Sequence, residues 1–197
     1  MGFSRYLATV IITAIAGASV SAVLVFQTVH IIMRQIKLYH SINLVELKTN
    51  KYVYWIIAAI FGFLIFYVVM QMADPEAPCV TEFYALFGVG RTYTNIALMI
   101  VLIVLIAAES FIVTLGLSKN AVVDKGVYSN FGMLDWHHVR DYVIDEERCT
   151  LMLTSDKRTF STLGGLTPPF KVKKGDIQKL KFILNKNKNK FSAFGND

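Results

Sequence analysis

Three uninterrupted apolar stretches govern what this chain can become. They run from Tyr6 to Met33, from Tyr52 to Met72 and from Ile96 to Leu117. Each exceeds the roughly 20 residues needed to cross about 30 Å of hydrocarbon. The first two hold no Asp, Glu, Lys or Arg, and the third holds only Glu109. A backbone surrounded by lipid has no water to bond to, so stretches that satisfy their own N–H and C=O groups are helices. Residues 1–118 are therefore predicted to be an all-α transmembrane domain with spans at 6–33, 52–72 and 96–117. Composition agrees: 17% of residues are charged, against about 25% in soluble domains. The 54% hydrophobic content and the two cysteines exclude disordered, collagen-like and disulfide-scaffold classes.

The first stretch also carries marks of a signal peptide, with Arg5 ahead of it and Val20-Ser21-Ala22 as a small-residue site. Its apolar run continues to Ile31 and Ile32, well past a cleaved core of about 7–15 residues. A retained helix is expected. Met1-Gly2 opens a myristoylation pattern, but Tyr6 stands where Ser or Thr is needed.

Charge sets the orientation. The loop after the first span carries Arg34, Lys37, Lys48 and Lys51 against Glu46, and the loop after the second carries Asp74, Glu76 and Glu82 against Arg91. Basic loops stay in the cytoplasm. The chain is therefore expected in the cell membrane as a multi-pass protein, with its amino terminus outside and everything after Leu117 inside. Cys79 then lies outside and Cys149 inside, so no disulfide joins them.

From Ser118 onward the apolar pattern shortens to period two. Strands are predicted at Ala121–Ser129, Phe131–Trp136, Arg140–Glu147, Cys149–Thr154 and Thr159–Leu163, separated by turn-forming polar and glycine residues, and Gly164-Gly165 and Pro168-Pro169 mark a loop before Phe170-Lys171-Val172. Ile177, Leu180, Ile183 and Leu184 recur at helical spacing behind Asp176, a candidate cap. Residues 119–185 are read as one small cytoplasmic β-rich domain with a C-terminal helix. Residues 186–197 are read as a Lys/Asn-rich disordered tail.

Gly126-Val127-Tyr128, Phe131-Gly132 and Trp136-His137-His138-Val139-Arg140-Asp141-Tyr142 give this segment a resemblance to the bacterial membrane-associated PH-like domains. In those, a strand meander opened by such a segment is covered by a C-terminal helix, and transmembrane helices stand just before it. The resemblance covers about residues 120–185. It implies binding or scaffolding, not turnover, and Trp136 and Tyr142 are expected as packing residues.

Few residues offer chemistry. Glu109 lies about 12 Å below the cytoplasmic end of its span at ~1.5 Å per residue. A charge at that depth costs about 2.5–3.5 kcal/mol on insertion scales, so it should face protein. Gln27, at a similar depth, or a partner subunit is its expected hydrogen-bond partner. His30 near the end of the first span is expected as an interfacial hydrogen-bonder. Ala14, Gly17, Ala18, Ser21 and Ala22 form a small-residue face suited to close helix packing. After Asp74-Pro75, Val80 to Val89 form an amphipathic set that fits a membrane interface. Lys171, Lys173, Lys174, Lys179 and Lys181 lie in a lysine-rich stretch suited to an anionic leaflet, where each is worth about 1 kcal/mol. That stretch has no aromatic interleaving and no groove-reading motif, which speaks against nucleic acid as a partner. No phosphate-binding loop, nucleophile elbow or metal-ligand spacing appears in the sequence. The reading is a non-catalytic membrane adaptor, accessory or regulatory subunit, not an enzyme, without cofactor or metal. Its expected partners are membrane lipids and other integral membrane subunits or copies of itself. The alternative is a subunit of an ion or small-molecule transport pathway that runs through Glu109.

Overall fold

A computed structural model describes residues 2–41, 43–74, 81, 91–129, 132–155, 166–167 and 169–190. The chain divides into two compact units, one of residues 1–30 and 51–116, the other of residues 31–50 and 117–197. The predicted amphipathic set at Val80 to Val89 and the predicted strand at Thr159–Leu163 fall almost wholly or wholly outside the described residues.

The helical unit holds α1 (Gly2–Tyr39, whose last two turns belong to the other unit), α2 (Tyr52–Ala73) and α3 (Arg91–Leu117). All three are long and apolar enough to cross a membrane. The helices run past the predicted spans, α1 to Tyr39 and α3 from Arg91. Helical hydrogen bonding does not stop where the apolar run stops.

Contacts fix the directions of the three helices. A β-carbon on Gly116 would stand 3.4 Å from Tyr54 Cβ, and one on Gly62 would stand 3.4 Å from Glu109 Oε1. Val68 packs with Leu98 beside Met72, Leu102 and Leu105. Positions rising along α2 thus meet positions falling along α3, and the two helices are antiparallel. Along α1, Gly17 meets Ile100 and Val104, while Ser21 to Val29 share a groove with Ile103 to Ser110. Both numbers rise together, so α1 and α3 run parallel. The outer surfaces stay apolar: Phe26 and Phe63 are each 68% exposed and Phe66 is 61% exposed.

The second unit is a seven-stranded antiparallel sheet in the order β4-β3-β2-β1-β7-β6-β5. Its strands are β1 (Asn43–Lys48), β2 (Asn120–Val123), β3 (Gly126–Ser129), β4 (Gly132–Asp135), β5 (Val139–Asp145), β6 (Thr150–Ser155) and β7 (Phe170–Val172). The edge strands β4 and β5 are consecutive in the chain and joined by a single 3-10 turn at Trp136–His138, so the sheet curls. Inside the curl Val45, Leu47, Val122, Val127, Leu134, Trp136, Val139, Leu151, Leu153, Phe170 and Val172 form the core. The helix α4 (Ile177–Asn187) closes it with Ile177, Leu180, Ile183 and Leu184. Trp136 is 2% exposed, and its indole N–H donates to the Asp124 carbonyl at 2.9 Å. Tyr142 packs beside this core and its hydroxyl bonds Asn185 Oδ1 at 2.6 Å.

Four expectations are corrected. The first loop is not a loop. Its residues Asn43–Lys48 form the central strand β1, pairing Leu47 with Asn120 on one side and with Val172 on the other. Residues 31–50 therefore join the sheet unit, and a domain beginning at residue 119 lacks its middle strand. Ala121–Ser129 is not one strand but a hairpin turning at Asp124-Lys125, with Val123 opposite Gly126. Gly126 has φ +155, and a β-carbon there would lie 2.1 Å from the Leu134 carbonyl oxygen. Asp176 precedes α4 but makes no side-chain capping bond. Finally, residues 186–190 are helical, with Asn187 buried and its amide donating to the Ile183 carbonyl at 2.9 Å.

The place of β1 is testable by substitution. Leu47 is 2% exposed, so Leu47→Ala should cost about 2–5 kcal/mol through lost transfer energy and a cavity. A loop residue would cost less than about 0.5 kcal/mol. Thermal unfolding of the purified chain separates the two.

Candidate functional site

In the helical unit the small-residue face of α1 divides in two. Gly17 and Ser21 turn inward, Ala14 is half-buried, and Ala18 and Ala22 are exposed. The inward positions are three and four residues apart, the spacing that lines one side of a helix. A β-carbon on Gly17 would stand 2.4 Å from Ile100 Cγ2, so α3 already occupies the space a side chain would need. Below this contact the helices part into an open groove of about 390 Å³, lined by Ser21, Val25, Thr28 and Val29 of α1 and Ile103, Ile106, Ala107 and Ser110 of α3. Thr28 spends its hydroxyl on the Leu24 carbonyl (2.8 Å) and Thr114 on the Ser110 carbonyl (2.7 Å). Bonding back to the preceding turn removes these hydroxyls from interhelical work. Ser21 Oγ is buried without a partner.

Glu109 is half-buried, and the missing side chain of Gly62 leaves room for its carboxyl against α2. Gln27 is exposed, and no hydrogen bond joins it to Glu109, so the expected pair does not form within the chain. The reason is rotational, since equal depth does not ensure that two side chains face each other. His30 is also exposed, and its ring stacks on Phe26 one turn earlier at a centroid distance of 6.5 Å. No group of three or more His, Cys, Asp or Glu placed to hold a metal occurs among the described residues.

In the sheet unit the lysines from β7 to α4 serve different ends. Lys173 Nζ lies 3.5 Å from Glu46 Oε2 of β1, and Lys181 pairs with Glu146 of the β5–β6 turn. Lys171, Lys174 and Lys179 are exposed. Lys171 stands directly opposite Lys48 in the ladder, an unfavourable like-charge pair that an approaching anion would relieve.

Residues that sequence reasoning used only as charge, or did not use, take structural parts at the end of α1. Gln35 brackets Lys119, accepting from its N–H and donating to its carbonyl, both at 3.0 Å. Leu38 packs with Ala121, Val123 and Tyr128 on the outer face of the sheet. Arg34 lies one turn before Leu38, 6% exposed, with Nε and Nη2 lacking partners. Burial pushes the Tyr128 phenol above its ordinary range, the Asp135 and Asp124 carboxylates push the same way, and the Arg34 cation opposes them. The signal for Arg34 was present in the spacing of Ile31, Arg34 and Leu38. All three are buried, but a charge after an apolar run reads first as a topology marker.

Fold and geometry together define a chain of three potential membrane spans joined to a curled seven-stranded antiparallel sheet with a C-terminal helix. No family model, curated protein or solved structure matches it.

The two glycines should respond differently to a methyl group. Gly17→Ala should destabilise by about 1–3 kcal/mol through overpacking against Ile100. Gly62→Ala, at an ordinary contact distance, should be neutral or gain up to about 1 kcal/mol from helix propensity. Thermal unfolding in detergent would show the contrast.

Proposed function

We propose that this chain is a non-catalytic integral membrane adaptor or accessory subunit, whose cytoplasmic sheet is a PH-like interaction domain. The observation that carries the reading is the ladder of β1 with β2 and β7. It unites segments that stand before α2 and after α3, so those two helices leave and return to the same side. Together with the antiparallel α2–α3 pair and the parallel α1–α3 pair, this supports three crossings. The basic residues of both segments support the cytoplasm as that side. Surfaces as apolar as those around Phe26, Phe63 and Phe66 support lipid as their surroundings.

The PH-like reading is supported by the seven strands, by α4 over the open end of the core and by Trp136 at the corner between β4 and β5. In this reading the domain's first strand precedes the α2–α3 hairpin, which is an insertion between β1 and β2. Partners dock on the exposed surfaces of both units, Ala18 and Ala22 of α1 among them. Glu109 acts as a polar contact between α3 and α2, and the Glu109→Gln variant should keep its stability and its partners.

Two measurements test the proposal. A membrane-impermeant maleimide should label Cys79 in intact cells and reach Cys149 only after permeabilisation. The opposite pattern would overturn the orientation, and labelling of both in intact cells would overturn the crossings. Purification in mild detergent with mass analysis should recover stoichiometric membrane partners. A lone monomer that moves a solute in liposomes, and loses that activity as Glu109→Gln, would replace the adaptor with a transport pathway.

A further inference from the structure

The strand alternation that buries Leu47 and Val172 turns Lys48 and Lys171 to the outer face of the sheet, opposite each other in the β1–β7 ladder. Both are exposed. Facing residues of an antiparallel pair have β-carbons about 4.5–5.5 Å apart, so two ammonium groups on flexible stems can close on one anion between them. The row continues through Thr150 of β6, opposite Lys171, to Asp145 of β5, opposite Thr150. Asp145 is engaged by Arg148, whose backbone N–H donates to Oδ1 at 2.9 Å and whose Nε lies 3.8 Å from Oδ2. Along β1, Glu46 holds Lys173 at 3.5 Å. The acids of these two rows are thus taken by other cations, and Lys48 and Lys171 form no ion pair among the described residues. Lys119, also exposed, stands one residue before Asn120, the partner of Leu47 on the other edge of β1.

Chain connectivity sets how far this row stands from the spans. Lys48 precedes Tyr52, the first residue of α2, by four positions, and Lys119 follows Leu117, the last of α3, by two. Four residues cover at most about 14 Å. The helix α2 opens with Tyr52, Tyr54 and Trp55, residue types that settle at the membrane–water boundary. Lys48 stands no farther than that reach from the boundary, and Lys171 lies one strand spacing beyond, about 4.8 Å. Nucleic acid and acidic protein also suit a basic face, but the chain itself brings only the leaflet to this one.

We propose that Lys48 and Lys171, with Lys119 beside them, form a seat on the outer face of the sheet for the headgroup phosphates of anionic phospholipids. This seat depends on the membrane reading above. It narrows the lysine-rich stretch to one row: Lys173 and Lys181 are taken up by Glu46 and Glu146, and Lys179 and Lys186 belong to α4.

The test places the full chain in nanodiscs of phosphatidylcholine, alone or mixed with phosphatidylglycerol of the same acyl chains. Lysine acetylation is then followed residue by residue by mass spectrometry. Lys48 and Lys171 should react about fivefold more slowly in the anionic discs, the protection expected of one leaflet contact each. Lys179 and Lys186 should react alike in both. Lys171 decides, because it lies far in sequence from any span and owes its place to the ladder alone. The double variant Lys48→Gln/Lys171→Gln removes a like-charge pair, so it should melt no lower than the wild type. In native mass spectrometry it should lose the wild type's preference for phosphatidylglycerol over phosphatidylcholine. Lys179→Gln/Lys186→Gln, an equal change in net charge, should keep that preference. Equal protection of all four lysines, or equal loss in both double variants, overturns the seat in favour of diffuse attraction. Unchanged acetylation of Lys171 between the two discs overturns it outright. So does stronger protection of Lys48 and Lys171 by RNA or a polyglutamate peptide than by phosphatidylglycerol. Failure of the membrane reading would look different: the wild-type chain would enter no disc and stay soluble and monodisperse without detergent.

Discussion

Backbone hydrogen bonds between β1 and its two neighbours hold the architecture together. A strand at the middle of a sheet satisfies donors and acceptors on both edges, and each of its residues is wanted by two partners. Here the strand that meets β2 and β7 is supplied by the short segment between the first two apolar helices. Its inward residues Val45 and Leu47, 3% and 2% exposed, complete the core that Leu151, Leu153 and Leu180 fill from the other strands and the closing helix. Its outward residue Glu46 meets Lys173. Without this strand the sheet would fall into two pieces, each with an open edge.

That arrangement makes the α2–α3 hairpin an insertion in a β-connection. Leu47 lies opposite Asn120, so the residues that lead into α2 and those that leave α3 start from paired positions. The contact of Gly116 with Tyr54 and Trp55 is the first rung of the helix pair that follows. Pairing in the sheet and packing in the hairpin therefore impose the same condition, that the two helix ends be neighbours. Local preferences that agree in this way favour one native arrangement over alternatives.

Much of this was legible in the sequence, for reasons that also explain what was not. Long apolar runs state their structure without reference to any other residue, so all three helices could be read. Period-two alternation found β4, β5 and β6, and helical spacing found α4. The first strand was missed because Asn43–Lys48 is short, lies between two spans and gains its identity from partners more than 70 positions away in the chain. The β2–β3 turn was missed because Asp124-Lys125 is a tight polar pair inside an otherwise continuous apolar stretch. At the candidate sites the limit was rotational. Depth along a helix follows from residue count, but whether Glu109 faces Gln27 depends on packing that no single helix encodes. Gly17 lies against Ile100 and Ser21 is buried, while Ala18 and Ala22, on the same list of small residues, are exposed.

The basic residues show most clearly how the structure redistributes what composition treats as one quantity. Some are consumed within the fold: Lys173 by Glu46, Lys181 by Glu146, Arg148 by Asp145. Others are set against one another, as Lys48 and Lys171 are in neighbouring strands. Exposed ion pairs contribute about 0–1 kcal/mol, so the consumed lysines owe their positions less to stability than to the alternation of their strand or helix. Lys48 and Lys171 stand on the same outward side as Glu46 and Lys173, beside a single acid, and this leaves a net positive patch over the central strand. A phosphate-rich surface would meet there mobile ammonium groups that draw it in through long-range attraction.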